Sequence, residues 1–126
     1  MQLDKIGQIA FQISDVQKIE NFYKETIGLK HLFTVPDRMT FFDCGGVRWM
    51  FAVREPGEPV KTNSVIYFKV TGIEFFYDQL KNMDVEFAEA PKLIAEMNDH
   101  DLWMAFFKDV EGNVIGLMEE KRRERA

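Results

Sequence analysis

The sequence predicts an α+β fold made of two βαβββ repeats, and three observations carry that prediction. First, residues 8–13, QIAFQI, and residues 65–70, VIYFKV, alternate with period two, the spacing of a strand with one buried face. Second, each is followed by an apolar stripe at helical spacing: Val16, Ile19, Tyr23 and Ile27 after the first, Ile73, Phe76 and Leu80 after the second. Third, the landmarks recur in order. Ser14-Asp15-Val16 is matched by Thr71-Gly72-Ile73, and DCGG at Asp43–Gly46 by DVEG at Asp109–Gly112.

The elements follow in order. Ser14 or Asp15 offers a side-chain oxygen to free amides of the first helical turn, and Gly28 ends that helix because it takes a left-handed C′ conformation at no steric cost. LKHLFTV and MTFFDC flank the turn signal PDR and read as an antiparallel hairpin, and GGVRWMFAV supplies a further strand. REPGEPVKTN, residues 54–63, reads as a linker. In the second half Thr71 is the expected helix cap. VEFAEAP, LIAEM, LWMAFF and NVIGLM are short apolar runs, and residues 88–101 form a longer, polar connection. One domain is expected, with unit one at about 5–53, a linker at about 54–63, unit two at about 64–119 and a charged surface tail at 119–126. Neither unit, at roughly 55 residues, buries both faces of its sheet alone. Side-by-side pairing would create a shared curved sheet with the helices outside.

Composition narrows the function. Of 126 residues, 46% are hydrophobic and 29% charged, which excludes global disorder. A net charge of −5 argues against nucleic acid and anionic membranes as partners. Cys44 has no partner for an intramolecular disulfide, MQLDKIGQIAFQI lacks the pattern of a leader, and no apolar stretch spans a bilayer, so a cytoplasmic location is expected. The twelve Phe and seven Met either fill the core or line an apolar cavity.

Parity assigns faces. The apolar side of each first strand should meet the helix, leaving Gln8, Ala10 and Gln12, and Val65, Tyr67 and Lys69, on the other side. In the last strands Trp49 and Phe51, or Ile115 and Leu117, should pack on helices, with Arg48 and Met50, or Gly116 and Met118, opposite. The acidic turn DVEGN is too short for a calcium hand, and neither it nor DCGG leads into a helix as a phosphate loop does. Both read as hairpin turns.

Paired βαβββ units, IAFQISDVQKIENFYKETIGL and above all FFKDVEGNVIGLMEE make the sequence resemble the vicinal oxygen chelate superfamily over residues 5–120. That group includes glyoxalases, extradiol dioxygenases, epimerases and bleomycin-resistance proteins. The resemblance implies an eight-stranded cupped mixed sheet with helices on its outer face, often in a homodimer. It also implies metal ligands at four positions, which here hold Gln8, Met50, Val65 and Gly116. Only Gln8 is a plausible hard ligand, and catalytic zinc or non-haem iron needs about three. No metal and no cofactor are therefore expected.

The remaining chemistry is sparse. His31 and His100 are the only histidines; His100 beside Asp99 or Asp101 is a candidate general base. Cys44 lacks a basic neighbour and is a weak nucleophile candidate. The expectation is a metal-independent protein that binds a small, largely apolar or aromatic molecule, with resistance-type sequestration as one version. Its ligand-binding residues would be Gln8, Gln12, Arg48, Met50, Val65, Tyr67, Lys69, Gly116 and Met118. The alternative is a lyase, epimerase or dioxygenase-type enzyme using a displaced metal or His100, and a third class is a dimeric scaffold without a ligand.

Overall fold

The computed structural model describes residues 1–123, arranged as two compact units, Met1–Ser64 and a second beginning at Val65. The first unit runs β1 (Gln8–Ile13), α1 (Val16–Asn21), a π-helical turn (Phe22–Ile27), β2 (Lys30–Val35), β3 (Met39–Cys44) and β4 (Val47–Val53). The second runs β5 (Ile66–Lys69), α2 (Ile73–Asn82), β6 (Phe87–Glu96), β7 (His100–Lys108) and β8 (Val114–Arg122). The fold is thus α+β with two βαβββ repeats. The eight strands are hydrogen-bonded as two mixed four-stranded sheets, in the orders β1-β4-β3-β2 and β5-β8-β7-β6. In both, the first strand lies parallel to the last and the other pairings are antiparallel.

In the first unit, local chemistry forms the elements where the sequence indicates them. Asp15, extended at φ −128°, accepts from the Lys18 amide at 3.1 Å and caps α1. Gly28 closes the π-helical turn at φ 85°, and its amide bonds to the Tyr23 carbonyl. Gly45 and Gly46, at φ 58° and 93°, supply the two positive angles of the tight β3–β4 turn. One face of the sheet is closed by aromatic packing. Tyr23, a fully buried residue of the π-helical turn, lies 5.1 Å from Trp49, 4.5 Å from Phe51 and 6.2 Å from Phe42, and Phe11 stands edge-on to Trp49 at 5.0 Å. A Tyr–Trp–Phe cluster of this kind gains ring–ring attraction beyond the area it buries. Within the segment read as a linker, residues 59–63 bond to β1 through Gln12.

The second unit solves the same problem with different residues. Thr71 does not cap α2; the N-cap is Gly72, left-handed at φ 84° and without a side chain to offer. The cap comes from the far strand. The buried Glu119 carboxylate accepts from the Gly72 amide through Oε2 and the Ile73 amide through Oε1, each at 2.9 Å. Those amides have no partner inside the helix, and a carboxylate also complements the positive helix end. The buried stripe of α2 is Ile73 and Leu80 with half-buried Tyr77, whereas Phe76 is exposed; Tyr77 packs edge-on against Phe87 at 4.6 Å.

The expected polar connection over residues 88–101 is a long hairpin. The runs VEFAEAP and LIAEM join in one ten-residue strand, β6, whose register shifts around Pro91. Pro91 is tolerated because β6 is the edge of its sheet. At the other end, residues 119–122, expected within a charged tail, continue β8 with Glu119 buried; residues 124–126 lie outside the described residues. The β7–β8 turn is a hairpin turn built on Asp109. Its Oδ1 accepts from the Glu111 and Asn113 amides at 2.9 Å, and its Oδ2 accepts from the Asn113 side chain at 2.8 Å. Among the described residues no helix is long and apolar enough to cross a membrane.

Two outcomes test this account. Replacing Glu119 by Ala leaves a buried and a half-buried helix-end amide unpaired, and urea unfolding should register a loss of about 2–3 kcal/mol; Glu119→Gln, which keeps one acceptor, should lose less. The second concerns pH. The hydrogen bond from Lys121 holds the Glu74 carboxyl below the usual carboxylate range, and the bond to His100 does the same for Asp99. Both carboxyls bind protons less tightly folded than unfolded. Their contribution is complete above the ordinary carboxylate pKa and is lost as pH falls through the lower folded values. Glu74→Gln should therefore differ from the parent in unfolding free energy near neutrality and converge with it in strong acid.

Candidate functional site

Strand register decides which side chains share the sheet face opposite the helix. In the first unit Gln8 pairs with Arg48, Ala10 with Met50 and Gln12 with Ala52, while Met50 and Arg48 pair across to Phe41 and Asp43 of β3. This face has a polar end and an apolar middle. Arg48 donates through Nε to Gln8 Oε1 at 3.0 Å and its guanidinium lies 5.4 Å from the centre of the Phe41 ring. Phe41 in turn stacks on Phe33 at 4.4 Å and 23°. Met50 is half-buried beside them, with its sulfur 3.9 Å from the Gln8 amide nitrogen. Gln12 is engaged on both sides of its amide: Nε2 donates to the Pro59 carbonyl at 3.1 Å and Oε1 accepts from the Lys61 amide at 3.0 Å. A cleft of about 190 Å³ lies here between β1, β4 and the segment that follows β4.

In the second unit Tyr67 pairs with Gly116 and Lys69 with Met118, and Gly116 and Met118 pair across to Phe106 and Met104. Gly116 is not an empty position. A Cβ built there would sit 2.6 Å from Tyr67 Cδ2 and 3.0 Å from Cε2, so the tyrosine ring lies flat on the glycine backbone. Real Cβ atoms do not approach that closely, and the glycine is what admits the ring. Phe106 stands edge-on to Tyr67 at 5.6 Å and 81°. Tyr67 nonetheless keeps 45% of its surface exposed, so its outer ring face is available. Val65 is exposed at the start of this face, and Lys69 is paired with Glu120 at 3.7 Å.

Register thus brings Gln8, Arg48, Met50 and Gln12 onto one face of the first sheet, and Tyr67, Lys69, Gly116 and Met118 onto one face of the second. Phe33, Phe41, Phe106 and Asn63 were missed. Phe41 and Phe106 were in principle accessible, since a cross-strand partner of Met50 or Gly116 must share its face; the pairing itself is a tertiary fact.

These donors do not fit the metal that the resemblance implies. In the first unit the oxygen of Gln8 already accepts from a cation and its neighbour is a thioether. In the second an aromatic ring covers the place of the carboxylate, and Val65 carries no donor. Among the described residues no three His, Cys, Asp or Glu side chains converge to hold an ion.

The other candidates have local partners. His31 lies on the helix side within a polar cluster. Thr34 Oγ1 gives its one proton to Glu20 at 2.5 Å, so it accepts from Thr40 at 2.8 Å and from His31 Nε2–H at 2.7 Å. The His100–Asp99 pair is in place at 2.7 Å, and Asp99 also accepts from Arg122 at 2.5 Å. His100 opens β7, six residues before Phe106, or roughly 20 Å along the strand. Burial and the Asp43 charge push the Cys44 thiol up, away from the reactive thiolate.

The chain is similar in fold to lactoylglutathione lyase from Agrobacterium tumefaciens, with a TM-score of 0.74 at 15% identity, covering 94% of this chain and 95% of that one. The glyoxalase/bleomycin resistance protein/dioxygenase from Alicyclobacillus acidocaldarius superposes with a TM-score of 0.72 at 14% identity, covering 93% and 92%. The antibiotic binding protein TnmS3 from Streptomyces sp. CB03234 does so with a TM-score of 0.73 at 22% identity, covering 96% and 99%. Comparison with curated proteins finds no match. The sequence matches the family description Glyoxalase/Bleomycin resistance protein/Dioxygenase superfamily over residues 5–117, and the two βαβββ repeats, in register and in order, are those of that family: the chain belongs to the glyoxalase/bleomycin resistance/dioxygenase superfamily.

Proposed function

We propose that this protein binds a small, planar, largely apolar molecule without a metal, on the sheet faces that carry Gln8, Gln12, Arg48, Met50, Val65, Tyr67, Lys69, Gly116 and Met118. One observation carries the reading: the Tyr67 ring lies flat over Gly116, with Phe106 edge-on beside it. Where metal-dependent relatives place an anionic ligand, this chain has an exposed aromatic floor with an aromatic wall. Such a corner recognises a flat ring by stacking and edge contact. Met104 and Met118 flank it with polarizable, adaptable side chains. On the first unit's own face, Arg48 beside Phe41 offers a cation to an anionic molecule.

Sequestration fits this chemistry, because holding a molecule needs shape and stacking and no reacting group; the likeness in fold to an antibiotic binding protein is consistent with it. The enzyme alternative draws on the His100–Asp99 pair, but that pair stands apart from the aromatic corner along β7. A homodimer belongs to the proposal as well. Exposed Leu32, Phe33 and Val35 on edge strand β2, and Leu93 and Ile94 on edge strand β6, are apolar surface of the kind that subunits cover.

Native mass spectrometry of protein purified without chelators reads metal, retained ligand and oligomeric state together. The expected result is no stoichiometric metal, and no rise in thermal stability on adding nickel, zinc, manganese or iron(II). Stoichiometric metal with such a rise would sink the reading. Phenol, a planar single-ring aromatic, should bind, and Tyr67→Ala should weaken it about fivefold, the loss of one ring–ring contact.

A further inference from the structure

Two carboxamide side chains fasten the segment that follows β4 to the edge of β1. Asn63 accepts from the Gln12 amide through Oδ1 at 2.9 Å and donates to the Gln12 carbonyl through Nδ2 at 2.8 Å. Gln12 answers with its own side chain, donating to the Pro59 carbonyl at 3.1 Å and accepting from the Lys61 amide at 3.0 Å. Four hydrogen bonds therefore tie residues 59–63 to one residue of an edge strand. Asn63 stands in for a neighbouring strand by satisfying both backbone groups of Gln12. The near end of the segment is braced separately. Glu55 and Glu58 exchange bonds between their amides and acceptors at 3.0 and 2.8 Å, and Arg54 donates to the Glu58 carbonyl at 2.7 Å. The segment is a braced strap with a latch at its far end.

Under the strap lies the 190 Å³ cleft, with Ala10, Met50 and Ala52 as an apolar floor and Glu58, Lys61 and Ser64 at the rim. Magnitudes decide what it admits. A cavity of about 150 Å³ holds benzene, while drug-sized ligands need roughly 300–1,000 Å³. The latched cleft has room between its walls for one substituted ring, and a fused or multi-ring molecule would have to project from it.

We infer that the Gln12–Asn63 clasp is a size-selecting latch: closed, it limits the cleft to single-ring ligands, and a larger planar ligand enters only when the strap comes away from β1. Asn63 is thus a positioning residue, acting through the strap. The size selection rests on the aromatic-ligand reading proposed above; the latch itself does not.

The experiment separates the two. On ligand-free protein, Asn63→Ala should speed amide exchange at Gln12 and Lys61, and tryptic cleavage after Lys61, about tenfold or more, as loss of two ordinary hydrogen bonds does. The Phe11 amide should stay protected. Asn63→Asp keeps the acceptor for the Gln12 amide and loses the donor, so it should protect Gln12 while loosening the strap. Parent-like exchange and cleavage in Asn63→Ala would overturn the latch. Phenol and anilinonaphthalene sulfonate then serve as small and large probes. Asn63→Ala should favour the larger probe about tenfold relative to phenol. An unchanged ratio with a loosened strap would overturn the size selection. Binding of neither probe to either protein, with the exchange response intact, would overturn the aromatic-ligand reading and leave the latch standing.

Discussion

Each unit is organised by the parallel pairing of its first strand with its last. A parallel pair cannot be joined by a tight turn, so a helix and two further strands must fit within the connection. Between β1 and β4 these are α1, the π-helical turn, β2 and β3; between β5 and β8 they are α2, β6 and β7. That pairing also sets every face. With Phe11 opposite Phe51, one side of the first sheet is committed to the aromatic core under Tyr23, and Gln8, Arg48 and Met50 are left together on the other. A slip of one residue would send Trp49 outward and Arg48 into the core, at a cost no compensating contact offsets.

The two repeats share this frame and spend their aromatic residues differently. The first unit buries Phe11, Phe42, Trp49 and Phe51 against Tyr23 of its helical segment. The second buries Ile73, Leu80, Val85, Ile115 and Leu117 with the single fully buried ring of Phe107, and carries Tyr67 exposed and Phe106 half-buried on the opposite face. The abundance of Phe in the sequence therefore has both of the explanations available to it: much of it is core, and some of it is surface with a shape.

What the sequence revealed and what it hid follow from the range of the interactions involved. Strand alternation, the Asp15 cap, the Gly28 stop and the DVEGN turn depend on neighbours within a few residues, and all were legible. The cap of α2 was not, because its carboxylate belongs to Glu119, far along the chain on another strand. Phe76 and Tyr77 both lie at helical spacing from Ile73, and only the direction of packing against Phe87 separates them. Pro91 reads as a breaker until β6 is known to be an edge. For the candidate site, parity grouped Gln8, Arg48, Met50 and Gln12, and Tyr67, Lys69, Gly116 and Met118, as the strand register does, but it carried no sign that the Gln12 amide is occupied by the strap or that Tyr67 covers Gly116.

The contact between Tyr67 and Gly116 also constrains how this chain can change. A carboxylate at residue 116 requires a Cβ, and that Cβ would collide with the tyrosine ring. A side chain at residue 116 requires the Tyr67 ring to swing aside, and removing Tyr67 uncovers the backbone on which the ring lies. The two positions are therefore coupled: a side chain at residue 116 and the Tyr67 ring cannot hold their present places together, so a change at one is felt at the other.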